Sequence, residues 1–286
     1  EDTDEKLTNS ATDLYMIIAE KLGNDFHPYL AKMYEYLSKY LDTKKSEYER
    51  SLMFATIAEV LRYCKVSVKF FCESLFTAIN ANLKKINKNT EETYRNIAYL
   101  LGVLYESDPT CEFLINKHQE TAQILEFVFT MADKIGKENV IAALSKMVYS
   151  LKLDVNGSFF LSVTNTIMSN CPFTADYTEN KAVLKFWFYF SYNSLLKGIV
   201  SGYTNSIGGD LSVEALNCYK ENFGKFLGVV KYVCLNEKKC EFSQEDYSEL
   251  KLVLNSFNDE LKAAVLNYTN GLSEGEKAVF IKKLNN

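Results

Sequence analysis

Residues 94–106, Tyr-Arg-Asn-Ile-Ala-Tyr-Leu-Leu-Gly-Val-Leu-Tyr-Glu, recur in weaker form at a nearly fixed distance on both sides. Upstream, 50–61 reads Arg-Ser-Leu-Met-Phe-Ala-Thr-Ile-Ala-Glu-Val-Leu, and downstream, 138–147 reads Glu-Asn-Val-Ile-Ala-Ala-Leu-Ser-Lys-Met. Laid over one another, the copies align Ile57, Leu101 and Leu144, spaced 44 and 43 residues apart. Each is followed by a small residue, Ala58, Gly102 and Ser145, which lets a neighbouring helix approach closely. Asn96, Asn139 and Asn180 form a second, weaker series whose amides are placed to bridge backbone groups of adjacent copies, or recur by chance in an Asn-rich chain.

A helical apolar pattern repeating every 40 to 47 residues or so is the signature of HEAT and armadillo arrays. Each unit is a helix pair that cannot bury its own apolar face and so stacks on its neighbours. The pattern predicts an all-α, right-handed α-solenoid superhelix of about five to six such repeats, a single body over 1–286. Only 3 Pro and 12 Gly interrupt the chain, which suits helices joined by short turns. A formal charge of −5 disfavours nucleic acid, because phosphate binding needs concentrated Lys and Arg. A basic peptide or protein is the better electrostatic match. The seven cysteines contain no C-x-x-C pair, so buried free thiols in a reducing compartment are expected. No apolar run reaches about 18 residues, so no membrane span is expected.

The spacing of apolar residues predicts helices in order along the chain. The acidic residues 1–5 are expected to fray, with a first helix from Ala11 to Leu22 carrying Leu14, Ile17, Ile18 and Leu22 on one face and stopped by Gly23-Asn24. Entry into this helix without an initiator Met suggests a C-terminal fragment of something longer. Pro28 suits the first turn of the next helix. Ser46-x-x-Glu49, Ser243-x-x-Asp246 and Ser273-x-x-Glu276 are capping signals. Asp108-Pro109 and Cys171-Pro172 are stops, and 193–212, rich in Gly, Ser and Asn, reads as an inserted loop.

Three pieces, 49–59, 101–106 and 138–144, together resemble the importin-β (karyopherin-β) nuclear transport receptors, in the order of the C-terminal repeats of the branch containing importins four and five. The resemblance is strongest over about 47–152 and departs at 193–212 and in the heavy aromatic content. It implies protein import through nuclear pores, between cytoplasm and nucleus. Such receptors hold basic cargo segments on an acidic concave face and take Phe-Gly nucleoporins between outer helices. Ran GTPase releases the cargo through N-terminal repeats that this chain would lack.

On that reading Glu59, Glu106, Glu138 and Glu179 line a cargo-binding surface, or are simply solvated helix faces. Phe70 with Phe71 and Phe159 with Phe160 are adjacent pairs, and two neighbours on a helix cannot both face the core. One of each pair is then available to a nucleoporin Phe or to the next repeat. Trp187 is expected to be packed. Catalysis has little support: the two histidines, His27 and His118, lack ligand-spaced companions, and no phosphate loop, nucleophile elbow, H-E-x-x-H or D-D-x-x-D motif is present. No cofactor or metal is expected. Another HEAT scaffold, such as a phosphatase regulatory subunit or an assembly platform, is the alternative.

Overall fold

The computed structural model describes residues 2–85, 91–195 and 212–285, and every regular element among them is helical. Contacts gather into two compact units, Glu1–Leu151 and Lys152–Asn286.

The first unit holds α1 (Asp2–Leu22), α2 (His27–Leu37), α3 (Glu47–Tyr63), α4 (Val68–Leu83), α5 (Glu91–Ser107), α6 (Glu112–Met131) and α7 (Lys134–Ser150). Helices α1, α3, α5 and α7 pack in one row, each against the next. A second row runs from α2 to α4 through the stacked rings of Tyr34 and Phe71, and from α4 to α6. Local chemistry places the boundaries. Gly23, with φ of 55°, adopts the left-handed conformation that ends α1, and Pro28 occupies the first turn of α2. Ser46 and Glu49 form a reciprocal capping box at the start of α3. Asp108-Pro109 follows the end of α5.

Close approach within the first row depends on Gly102. A Cβ built there would stand 3.2 Å from the Cα of Ala143, so α5 and α7 meet nearly backbone to backbone. The three aligned apolar residues, Ile57, Leu101 and Leu144, are all buried. Burial of such side chains contributes about 1.5–3 kcal/mol each relative to exposure. The most deeply buried of the charged residues is Arg50, 2% exposed, which donates to Asn82 Oδ1 at 2.6 Å and pairs with Glu47 at 2.5 Å. Asn82 in turn donates to the Leu41 carbonyl at 2.8 Å, which ties α3, α4 and the turn after α2 together.

Helix α1 differs from expectation in two ways. Its backbone is helical from Asp2, which places a cluster of acidic residues at the positive end of the helix dipole. Its apolar face is also not in the core, since Leu14, Ile17 and Leu22 are exposed while Thr12 and Ala19 are buried.

The second unit holds α8 (Ser158–Ser169), α9 (Asn180–Leu195), α10 (Val213–Leu235), α11 (Glu237–Cys240), α12 (Gln244–Asn255), α13 (Asp259–Asn270) and α14 (Glu274–Asn285). Helix α10 packs against α8, α9, α13 and α14, and α12 lies against α9 and α14. Its core is aromatic. Trp187, fully buried, stacks on Phe226 at 5.0 Å between centroids and tilts against Tyr219 at 4.7 Å. Ser243 and Asp246 cap α12 reciprocally, and Ser273 and Glu276 exchange the same pair of bonds ahead of α14. The loop expected at 193–212 lies largely outside the described residues, with α9 reaching Leu195 and α10 beginning at Val213.

Partners across neighbouring helices share a characteristic separation in sequence. In the first unit Arg95 pairs with Asp133, 38 residues on, Cys72 meets Cys111 at 39, and Asn96 reaches back 45 to Ser51. In the second unit Lys220 reaches Glu260 at 40 and Lys231 reaches Glu276 at 45. Contacts between α8 and α10 are longer: Asn222 to Asn165 is 57 residues and Lys225 to Ser169 is 56. The packing interval is therefore about 40 residues in both units and longer between α8 and α10.

Candidate functional site

The acids proposed from the sequence do not form one open surface. Glu59, half-buried on α3, accepts from the Tyr99 hydroxyl of α5 and lies 3.6 Å from Arg62. Glu106, exposed at the end of α5, accepts from the Tyr149 hydroxyl of α7 at 2.7 Å and pairs with Lys146 at 3.7 Å. The same ammonium sits 5.7 Å from the Tyr99 ring centroid. Glu59, Tyr99, Lys146, Glu106 and Tyr149 thus make a continuous strip of polar contacts along the first row. Glu138 is buried at 7% exposure, so its carboxylate does not face open solvent. Glu179 lies half-buried at the turn before α9 in the second unit.

The tyrosines that engage Glu59 and Glu106 lie on other helices, at a distance along the chain. A signal for them is present in the sequence: Tyr99 follows Glu59 by 40 residues and Tyr149 follows Glu106 by 43, the interval of the repeat itself.

The two Phe pairs behave differently. Phe70 is 59% exposed, and Phe71 beside it is half-buried, its ring stacked on Tyr34 at 4.0 Å. His27 lies over both, at 4.8 Å from Phe70 and 6.5 Å from Phe71. Ser67 and Ser74 hold this wall in place through His27 Nδ1 at 2.8 Å and the Tyr34 hydroxyl at 2.6 Å. Burial raises the Tyr34 hydroxyl pKa above its ordinary value, so the phenol stays neutral. Lys69 rests 5.1 Å from the Phe70 centroid. The result is an aromatic surface between α2 and α4, with Phe70 open to solvent beside His27, Phe71 and Tyr34.

In the second pair Phe159 is half-buried and Phe160 only 1% exposed. Phe160 packs against Phe190 at 4.9 Å and Phe186 at 5.6 Å, so it belongs to the core and offers nothing to a partner. The step from Ser158 to Phe160 is the first turn of α8, and its inward face is set by Val163, Thr164 and Ile167.

The asparagine series also divides. Asn96 spans from α5 to α3, donating to the Ser51 carbonyl at 3.0 Å and its hydroxyl at 2.9 Å. Asn180 instead closes its own turn, bonding both the amide and the carbonyl of Phe173. The Asn139 side-chain oxygen is buried with no hydrogen-bond partner.

Chemistry-bearing groups do not converge. Among the described residues no group of three or more His, Cys, Asp or Glu is placed to hold a metal ion. Six of the seven cysteines are buried and Cys171 is half-buried. Burial pushes the Cys171 thiol up to about 12, far from a nucleophile's range. No helix of the described residues is long and apolar enough to cross a membrane. No family model and no curated protein matches this chain.

Proposed function

We propose that this chain is a stack of HEAT-type helical repeats that works by binding proteins, as the C-terminal part of an importin-β-like transport receptor moving between cytoplasm and nucleus. The observation that carries the reading is the aromatic surface of His27, Tyr34, Phe70 and Phe71 between consecutive helices of one row. An exposed Phe beside other aromatic side chains accepts another phenyl ring edge to face, which adds about 0.5–1.5 kcal/mol beyond area burial. Such weak, repeated contacts suit Phe-Gly nucleoporins. The packing interval of about 40 residues supports the repeat class. Glu106, exposed at the end of α5, is the remaining candidate for a basic cargo segment.

A labelled Phe-Gly repeat peptide, titrated against its Phe-to-Ser control, tests this reading. Saturable binding that is lost both in the control and in Phe70→Ser supports a transport receptor. Absence of binding at millimolar peptide removes pore docking from this chain.

A second reading, an assembly platform, is favoured by the strip from Glu59 to Tyr149. Acids already engaged by tyrosine hydroxyls and Lys146 stabilise the stack and leave less charge for cargo.

A further inference from the structure

We propose that Cys72 and Cys111 form a reversible redox staple that joins α4 to the start of α6. Their sulfurs lie 3.6 Å apart, in van der Waals contact, although the residues are separated by 39 positions and come from consecutive helices of the second row. A disulfide requires S–S of about 2.05 Å, so a shift of some 1.5 Å shared between two side chains closes it. Cys234 and Cys240 also lie near one another, with Cys234 beside the Tyr247 hydroxyl, but the sulfurs in direct contact are those of Cys72 and Cys111. Cys64 bonds to the Ser67 hydroxyl at 3.0 Å, Cys218 contacts Asn165 and Asn222, and Cys171 lies near the Met168 carbonyl.

The two positions divide the work. Cys111 is the N-cap residue of α6, in the turn beside exposed Pro109 and Thr110, and retains 6% exposure. Of the two sulfurs Cys111 therefore lies nearer to solvent and is the one that meets an oxidant first. Cys72, 1% exposed within α4, is the resolving thiol, and burial and the neighbouring Cys111 hold its pKa up to about 12. The oxidant is a peroxide. The Cys111 thiol sulfur attacks one peroxide oxygen, the O–O bond breaks, the thiol proton passes to the departing hydroxide, and a sulfenic acid and one water form. Cys72 then attacks the Cys111 sulfur, the S–O bond breaks, and the oxygen leaves as a second water. Two thiols lose two electrons and the peroxide gains them. The link closes a loop that contains the whole of α5, and so fixes the second row against movement between α4 and α6.

The 286-residue chain is treated natively with hydrogen peroxide, alkylated in denaturant and mapped by peptide mass. The expected product is a Cys72–Cys111 cross-link, reversed by dithiothreitol, with the other cysteines alkylated. The melting temperature should rise by roughly 5 °C or more in the linked form and fall back on reduction. Cys111→Ser, which keeps a good N-cap, should fold normally and lose both the cross-link and the shift. Cys171→Ser should keep both. Sulfinic acid at Cys111, a different pairing, a cross-link formed only in denaturant, or one that leaves the melting temperature unchanged overturns the proposal.

Discussion

Gly102 on α5 lies so close to Ala143 on α7 that an added methyl group would reach within 3.2 Å of the Ala143 Cα. The obstructing atom is backbone, which cannot rotate away. Gly102→Val should therefore destabilise the protein by about 2–3 kcal/mol, as overpacking does, despite the poor helix propensity of the glycine it removes. Gly224 on α10 is the contrasting case, because nothing lies within 4 Å of its added methyl. Gly224→Ala should stabilise by about 0.5–1 kcal/mol. Denaturant melts of the two variants check the pair, and equal effects would mean that α5 and α7 do not pack this closely.

Asn82 is the second test, because it answers a buried charge. Asn82→Leu leaves an Arg50 guanidinium N–H and the Leu41 carbonyl without their partner, while Glu47 still balances the charge. A loss of about 2–4 kcal/mol is expected. Double substitution with Arg50→Met should recover part of it, since the group left stranded is then gone.

The capping boxes confer a pH dependence with a definite sign. The Ser46 backbone N–H, with its hydroxyl and Lys45, holds Glu49 below its ordinary value of 4.5. Ser243 and Lys181 outweigh burial to hold Asp246 below 3.8, and Ser273 and Lys231 do the same for Glu276 below 4.5. A carboxylate lowered by folding stabilises fully above its unfolded value and loses that contribution as pH falls through the folded one. Stability should hold flat from neutral pH to about 5 and decline below about 4.5. Ser46→Ala should cost about 1 kcal/mol at pH 7. Glu49→Gln should flatten the acid limb, and an unchanged slope would contradict the depressed carboxyl.

Trp187 makes the second unit separately observable. As the chain's single Trp, fully buried between Phe226 and Tyr219, it should emit at short wavelength in the native state and shift red only when this unit opens. Circular dichroism at helical wavelengths follows both units. Coincident transitions mean one cooperative body, and separated transitions mean that Glu1–Leu151 and Lys152–Asn286 melt independently.

Helix order and most boundaries were legible in the sequence because the devices that set them are local. Gly23, Pro28, Pro109 and the three Ser-x-x-acid boxes act within a few residues, and each stands where the pattern put it. Ala58, Gly102 and Ser145 likewise mark a row of close helices, because a missing side chain leaves a visible period. Exposure was far less legible. The apolar face of α1 reads like any core face, yet burial depends on which neighbour arrives, and in the helix that packs on α3 it is Thr12 and Ala19 that are buried instead. Phe159 and Phe160 differ only by the 100° turn between them, and rings on α9 decide which points inward. The engagement of Glu59 by Tyr99 is a contact between helices, and only the shared interval of 40 residues hints at it.

That interval also bears on synthesis. A helix that finds its partner about 40 residues later can dock soon after the partner clears the ribosome, before distant segments exist to compete for its apolar face. Asn165 and Ser169 on α8 must wait longer, because Asn222 and Lys225 arrive 57 and 56 residues on. During that delay the aromatic face carrying Phe160 has α9 for cover but not yet α10. That face therefore stays partly uncovered while α10 is still in the tunnel, and a chaperone that binds aromatic segments should engage the nascent chain at that length.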